Sequence, residues 1–278
     1  MEKTRPTNKL KKKTYTIFGH TGFIGSFFKN KLFKENLILP KKGQIIFKKN
    51  LGHIIYCIGS DDWLNDSYNS YYANLGYIPE IINKNNYSSF TFLSTSRIYR
   101  NLNVAKENSF LAVNPTNLDN YYNIKKICAE SFLISQKKKK IKIVRLSNIY
   151  GFAPKSTLLI PTLIKNSLSK NAIKIFINKK CKKDFLNIKV ACSIILKIIH
   201  YGKDQIYNIA SGKNISLEKI AKKISKLTNC KIKYMNQSKI INEPAININK
   251  IQKEFKFRLS SNIIEDLPEL ITYYKKKI

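Results

Sequence analysis

The chain has 278 residues, 43% of them apolar, enough to bury a large core and to exclude a disordered protein. Its formal net charge is +34. The excess is nearly all lysine, alongside heavy isoleucine and asparagine use, with arginine at only a few positions such as Arg97, Arg145 and Arg258. That pattern reads as compositional drift rather than a nucleic-acid interface, which would favour arginine for phosphate and guanine contacts. The charge still favours the approach of anionic substrates at low salt.

Residues 1–13 read as a flexible basic leader. Together with the apolar run that follows they mimic a signal peptide, but glycines and His20 interrupt the run and no small-residue cleavage site follows. No apolar run approaches the ~20 residues that span a bilayer. Five cysteines, an odd number without a C-x-x-C, suggest neither a disulfide framework nor a metal site. The expectation is a soluble, cytoplasmic protein with no membrane partner.

Residues 15–18 predict the first strand and 23–33 the first helix. Residues 36–47 hold two short strand-like pieces, 37–39 and 45–47, separated by Pro40 and Gly43. Then follow an apolar strand at 53–58, a helix at 71–83, a strand at 90–94 and a long helix at 120–136. After a solvated charged turn at 137–140 come a strand at 141–146, a helix at 190–200 and a strand at 205–210. A helix at 217–227 is opened by Ser216. Alternating strands and helices, with continuous apolar strands, predict a parallel sheet covered on both faces. The fold class is therefore α/β: a Rossmann-type, doubly wound parallel sheet with a smaller C-terminal substrate lobe. Residues 14–147, joined by 185–210, form the dinucleotide-binding core; 148–184 and 211–278 form the lobe. The lobe segments follow sheet strands, and ligands of open α/β sheets bind beyond the carboxyl ends of the strands.

Gly19, Gly22 and Gly25 follow the first strand in the spacing G-x-x-G-x-x-G. Gly19 permits the tight turn, Gly22 lets the backbone approach a pyrophosphate, and Gly25 lets helix and strand pack closely. The helix N-terminus, from Thr21 through Phe23 and Ile24, offers amides to phosphate. No Asp or Glu ends the second-strand region to hold a ribose 2′-hydroxyl. Lys41 and Lys42 stand there instead, either as ordinary surface lysines or as partners for a 2′-phosphate, which favours NADP over NAD.

Tyr122 and Lys126 are spaced i, i+4 and share a helix face; Tyr121 and Lys125 repeat the spacing one residue earlier. A free tyrosine has a pKa of ~10, and lowering it by ~3 units takes ~4 kcal/mol of differential stabilisation, which a neighbouring ammonium and a nicotinamide cation can supply. The strand at 90–94 ends in hydroxyl residues, of which Thr95 or Ser96 can hydrogen-bond a reacting oxygen.

Taken together, these motifs resemble the extended short-chain dehydrogenase/reductase superfamily, in its NAD(P)-dependent nucleotide-sugar epimerase/dehydratase group, from about residue 14 to the C-terminus. Tyr72-Ala-Asn74 resembles the group's asparagine helix and Ser94-Thr-Ser-Arg-Ile-Tyr99 its strand end, which places the catalytic hydroxyl on Thr95. The helix motif Tyr-x-x-x-Lys-x-x-x-Glu settles the register on Tyr122, Lys126 and Glu130. Arg145-Leu-Ser-Asn148 resembles the segment whose asparagine lies near the sugar nucleotide, and Lys183-Asp-Phe-Leu resembles Arg-Asp-Phe-Ile. Tyr207-Asn-Ile-Ala-Ser-Gly212 is similar to the group's late strand and glycine turn.

The resemblance implies hydride transfer between a sugar carbon and NAD(P), by epimerisation or 4-keto reduction, with Thr95, Tyr122 and Lys126 catalytic and Ser96, Asn148 and Lys183 on the substrate side. It also implies a homodimer through the Tyr–Lys helix, a nucleotide-sugar substrate and a role in surface-polysaccharide synthesis. Three departures stand out. The stretch before residue 53 is short, so the second and third strands are abbreviated. Ser96-Arg97 replaces the acidic pair of 4,6-dehydratases. No arginine adjoins Glu243-Pro244, where the group often grips pyrophosphate. Some relatives keep the fold but act as cofactor sensors or RNA-binding proteins; the intact Tyr122–Lys126 pair argues against that alternative.

Overall fold

The apolar runs pair into a six-stranded, wholly parallel sheet in a computed structural model that describes residues 12–44, 46, 49–59, 65–153, 156–235, 241, 243–256 and 262–277. The sheet contains β1 (Thr14–Phe18), β2 (Asn36–Ile38), β3 (His53–Tyr56), β4 (Ser89–Thr95), β5 (Ile141–Leu146) and β9 (Ile206–Ile209), in the order β2-β1-β3-β4-β5-β9. The chain runs from β1 to β2 on one side and then returns to lay β3 on the other. That reversal opens a crevice at the carboxyl ends of β1 and β3, where doubly wound sheets bind ligands.

Alternation along the strands makes both faces apolar. Tyr15, Ile17, Ile55, Leu93, Val144 and Leu146 face α1 (Phe23–Lys31) and α6 (Ile188–Tyr201), in one core cluster. Phe18, Ile54, Tyr56, Phe92 and Ile143 belong to the opposite cluster, with α3 (Tyr77–Lys84) and α4 (Tyr121–Ser135). Between β1 and β3 the described residues hold one strand, β2, rather than two short pieces; the 45–47 piece lies largely outside them.

The single helix expected at 71–83 is three segments: α2 (Ser67–Tyr71), a π-helical turn (Tyr72–Gly76) and α3. Pro79 has no amide for the Leu75 carbonyl, and the Tyr56 hydroxyl donates to the Ala73 carbonyl at 2.6 Å, so the regular ladder is interrupted twice.

A third apolar cluster is separate from the two that cover the sheet. It is built on α5 (Leu159–Ser169), α7 (Leu217–Thr228) and α9 (Ile263–Lys275), through Leu163, Ile164, Ile220, Ile224, Leu267 and Ile271. Two small sheets accompany it: β6 (Asn148–Tyr150), β8 (Lys182–Asn187) and β10 (Asn214–Ser216) in one, β7 (Ala172–Ile175) and β11 (Lys231–Tyr234) in the other. The short helix α8 (Asn249–Phe255) returns to the main core through Ile251. Among the described residues no helix is long and apolar enough to cross a membrane.

At the amino ends of β1 and β3, the Tyr15 hydroxyl and His200 Nε2 lie 2.7 Å apart, and His53 Nδ1 lies 2.9 Å from Ser89 Oγ. Burial, then the nearby His200 and Lys13 charges, pulls His53 down to about 4. Burial and Lys13 lower His200 as well, against Glu35. Both folded values lie below the unfolded ~6.5, so the unfolded chain takes up protons first as the pH falls. Stability is therefore unaffected by this pair above about pH 7 and declines from about pH 6.5 towards 4. Allowing for solvent screening, His53 accounts for about 2 kcal/mol of that decline. The melting temperature at pH 4.5 is expected to fall less, relative to pH 7.5, in His53→Asn than in the wild type; an equal fall would refute the assignment.

Candidate active site

Glycine geometry shapes the turn after β1. Gly19 has φ +79°, and a Cβ there would lie 2.9 Å from the Cys57 carbonyl carbon. The Gly22 amide closes the turn onto the Gly19 carbonyl at 3.0 Å. A Cβ on Gly25 would lie 2.2 Å from the Gly19 carbonyl oxygen, so no larger residue fits without moving helix or turn. The start of α1 has no side-chain cap and no acidic residue in its first turn. Its first amides, on Phe23, Ile24 and Gly25, have no intrahelical acceptor.

A cleft of about 850 Å³ opens over this turn. Thr21 through Ser26 line one wall, Cys57 to Gly59 follow β3, and Thr95, Tyr122, Lys126 and Asn148 line the far side. The cleft thus holds the glycine turn and one Tyr–Lys pair together. Lys126 is buried, and its Nζ donates to the Leu93 carbonyl at 2.9 Å. Burial brings its pKa down to about 8, with Glu130 pulling it back up and Lys125 pushing it further down. Lys126 is therefore charged at neutral pH.

The other pair, one residue earlier, points away. The Tyr121 hydroxyl donates to the Ser67 carbonyl at 2.9 Å, and Lys125 Nζ donates to Ser70 Oγ. Both contacts bind α4 to α2, and neither residue lines the cleft.

Behind the end of β4 lies a buried polar network. Ser94 Oγ donates to Glu130 Oε1 at 2.5 Å. Arg145 grips the same carboxylate with Nε at 3.1–3.2 Å and Nη2 at 2.6 Å, and its Nη1 donates to the Tyr99 hydroxyl at 2.7 Å. Tyr99 passes the chain on to Asn208 Oδ1 at 2.8 Å. Because Glu130 is on α4 and Ser94 precedes Thr95, this network sets the tyrosine helix against the hydroxyl-bearing strand end.

A smaller chamber of about 290 Å³ adjoins the cleft, lined by Thr95, Ser96, Arg97, Arg100, Tyr122 and Glu243 among others. Thr95 Oγ1 accepts the Arg97 amide at 3.1 Å, which leaves its hydroxyl proton available to a ligand. Asn148 Nδ2 donates to the Asp184 carbonyl at 2.8 Å. Lys183 does not line the chamber; its Nζ is paired with Glu243 Oε1 at 2.5 Å. Arg100 Nε reaches the same oxygen at 3.0 Å. The fold thus supplies the arginine that local sequence lacks beside Glu243. No sequence signal marks this pairing, since the partners are 143 residues apart. Lys41 and Lys42 are exposed in the turn after β2, outside the cleft lining. Among the described residues no group of three or more His, Cys, Asp or Glu could hold a metal ion.

A family model, that of the NAD dependent epimerase/dehydratase family, matches residues 44–210. The match begins after the glycine turn, which stands on its own geometry. No curated protein matches the chain. Among solved structures, UDP-N-acetylglucosamine 4-epimerase from Methanobrevibacter ruminantium M1, in complex with UDP-N-acetylmuramic acid, is similar with a TM-score of 0.79 at 17% identity, over 97% of this chain and 100% of that one. The dTDP-glucose 4,6-dehydratase from Bacillus anthracis in complex with NAD gives 0.75 at 18% identity, over 95% and 97%. RMD from Pseudomonas aeruginosa, complexed with NADPH, gives 0.76 at 15%, over 96% and 100%. At these identities the likeness is one of fold.

Proposed function

Because the chain belongs to the NAD dependent epimerase/dehydratase family, within the extended short-chain dehydrogenase/reductase superfamily, we propose that it modifies a nucleotide sugar with NAD(P), by epimerisation or 4-keto reduction, in surface-polysaccharide biosynthesis. The observation that carries the reading is the meeting of the glycine turn, Tyr122, Lys126 and Thr95 in one cleft. The neighbours complexed with NAD, NADPH and a UDP-sugar support it.

The residues present fit a dinucleotide. The Gly19–Gly25 contact is a cradle that a Cβ would fill, and the uncapped start of α1 directs amides and a helix dipole at a pyrophosphate. Thr21, Gly22, Phe23, Ile24 and Gly25 would hold that pyrophosphate. Lys41 and Lys42 would meet a 2′-phosphate, on which the preference for NADP rests. When bound, the nicotinamide supplies the hydride acceptor or donor.

Tyr122 takes the proton of a sugar hydroxyl, or returns one to a keto oxygen. Lys126, charged below about pH 8, stabilises the phenolate and binds the nicotinamide ribose. Thr95 donates a hydrogen bond to the reacting oxygen. Ser96 and Asn148 border the sugar, and Lys183 acts through Glu243. With Ser96-Arg97 at the strand end there is no acidic pair to eliminate water, so epimerisation and reduction stand ahead of dehydration. The protein works in the cytoplasm as a homodimer formed through α4.

Denaturing the purified protein and analysing the released small molecules by mass spectrometry is expected to yield a nicotinamide dinucleotide. Gly25→Ala is expected to weaken its binding by roughly tenfold or more, equivalent to ~1.4 kcal/mol. A wild-type protein that neither carries nor binds NAD(P) in titration would sink the proposal. Undiminished binding by Gly25→Ala would refute the cradle.

A further inference from the structure

We infer that the chamber beside Tyr122 is a subsite for a carboxylate carried by the sugar itself and held by Arg97, which makes the substrate class nucleotide-linked uronic acids. The inference rests on the nucleotide-sugar reading above.

Five of the 51 basic residues are arginine, and two of those five, Arg97 and Arg100, line this one chamber. In a chain that uses lysine almost everywhere else, a guanidinium is an informative choice. Its planar fork binds a carboxylate through two parallel N–H bonds, which an ammonium cannot do.

The charge in the chamber is unbalanced. Among the described lining residues Glu243 is the one acid, and a single oxygen of it already serves both Arg100 and Lys183. Two guanidiniums, Arg97 and Arg100, thus line the chamber against one carboxylate, and Asp119, outside the lining, also acts on Arg97. Arg97 lies beside the phenol. Its Nη2 donates to the Asp119 backbone carbonyl at 2.9 Å, and its guanidinium carbon lies 5.3 Å from the Tyr122 ring centre. Burial first, then the Arg100 charge, works against the positive charge on Arg97, with Tyr122, Asp119 and Glu243 opposing. An incoming anion would relieve both effects.

Position decides which anion. Thr95, Tyr122, Ser147, Asn148 and Leu158 line both the chamber and the main cleft, so the two spaces are continuous. A group gripped by Arg97 therefore sits beside the phenol that acts on the sugar ring. That places the charge on the sugar and not on the diphosphate bridge.

The test is isothermal titration of UDP-glucuronic acid and UDP-glucose into protein loaded with NADPH, which cannot accept hydride from either. The wild type is expected to bind the uronate about tenfold or more tightly than the hexose. Arg97→Gln is expected to bring that ratio close to one, and Arg97→Lys to keep part of it, as a charge without a fork. Should Arg97→Gln fail to fold, a several-fold drop in the ratio for Arg97→Lys carries the same result. Equal wild-type affinities would overturn the inference alone. So would an Arg97→Gln effect of the same factor on both ligands, which marks a diphosphate or structural role. Binding of neither ligand would overturn this inference alone, since the nucleotide-sugar reading falls separately, on a protein that does not bind NAD(P).

Discussion

Tyr122→Phe is expected to lower turnover of the cognate nucleotide sugar by about 10²–10⁴-fold while NAD(P) stays bound, the range typical of a lost general acid–base group. The substitution removes one oxygen and keeps the ring against Arg97, 5.3 Å away. The neighbouring ammonium should not move, because Lys126 is anchored by the Leu93 carbonyl and not by the phenol. Tyr121→Phe is the matched control. It loses only a hydrogen bond to the Ser67 carbonyl at the junction with α2, a change of about 1 kcal/mol in stability with turnover near wild type. Steady-state kinetics on both variants, with cofactor fluorescence as the binding readout, separates the two tyrosines. Full activity in Tyr122→Phe would show that the phenol has no part in the chemistry. The wild-type rate is also expected to fall above about pH 8, where Lys126 loses the charge that holds the phenolate.

Arg145→Met should destabilise the fold by about 3–5 kcal/mol, the usual consequence of stranding one member of a buried ion pair. Arg145 and Glu130 side chains are 5% and 4% exposed, and the bond between them is 2.6 Å. Removing the guanidinium leaves the carboxylate facing the Ser94 hydroxyl, at 2.5 Å, inside the sheet–helix interface. The double variant Arg145→Met, Glu130→Leu should recover much of the loss, because no charge is left unpaired. Urea unfolding of the wild type and these variants gives the comparison. A single-variant loss below 1 kcal/mol would mean that water reaches Glu130 and that the network does not set α4 against β4.

The central sheet was largely legible because its signal is local. The strand at 141–146 matches β5 to the residue, and the expected helix at 217–227 falls one residue short of α7, whose Ser216 cap accepts the Lys219 amide at 3.2 Å. The lobe was less legible for the opposite reason. β7 and β11 are four residues each and pair across more than fifty residues of chain, so neither shows its partner locally. Of the two interruptions in the helix at 71–83, Pro79 lies in the segment itself, but the other comes from the hydroxyl of Tyr56, which belongs to a strand.

Side-chain period and glycine sterics act within a few residues, and they determined from sequence alone that this chain winds a parallel sheet and turns tightly at Gly19 before α1. The choice between two Tyr–Lys pairs in adjacent registers could not be made that way, since i, i+4 spacing is the same for both. Resemblance favoured one pair. The folded structure sends Tyr121 and Lys125 to Ser67 and Ser70 of α2, while Tyr122 and Lys126, about 100° further round the helix, line the same cleft as the glycine turn. The cluster of Arg100, Lys183 and Glu243 likewise exists only in three dimensions, where chain closure brings together charges that no local pattern relates.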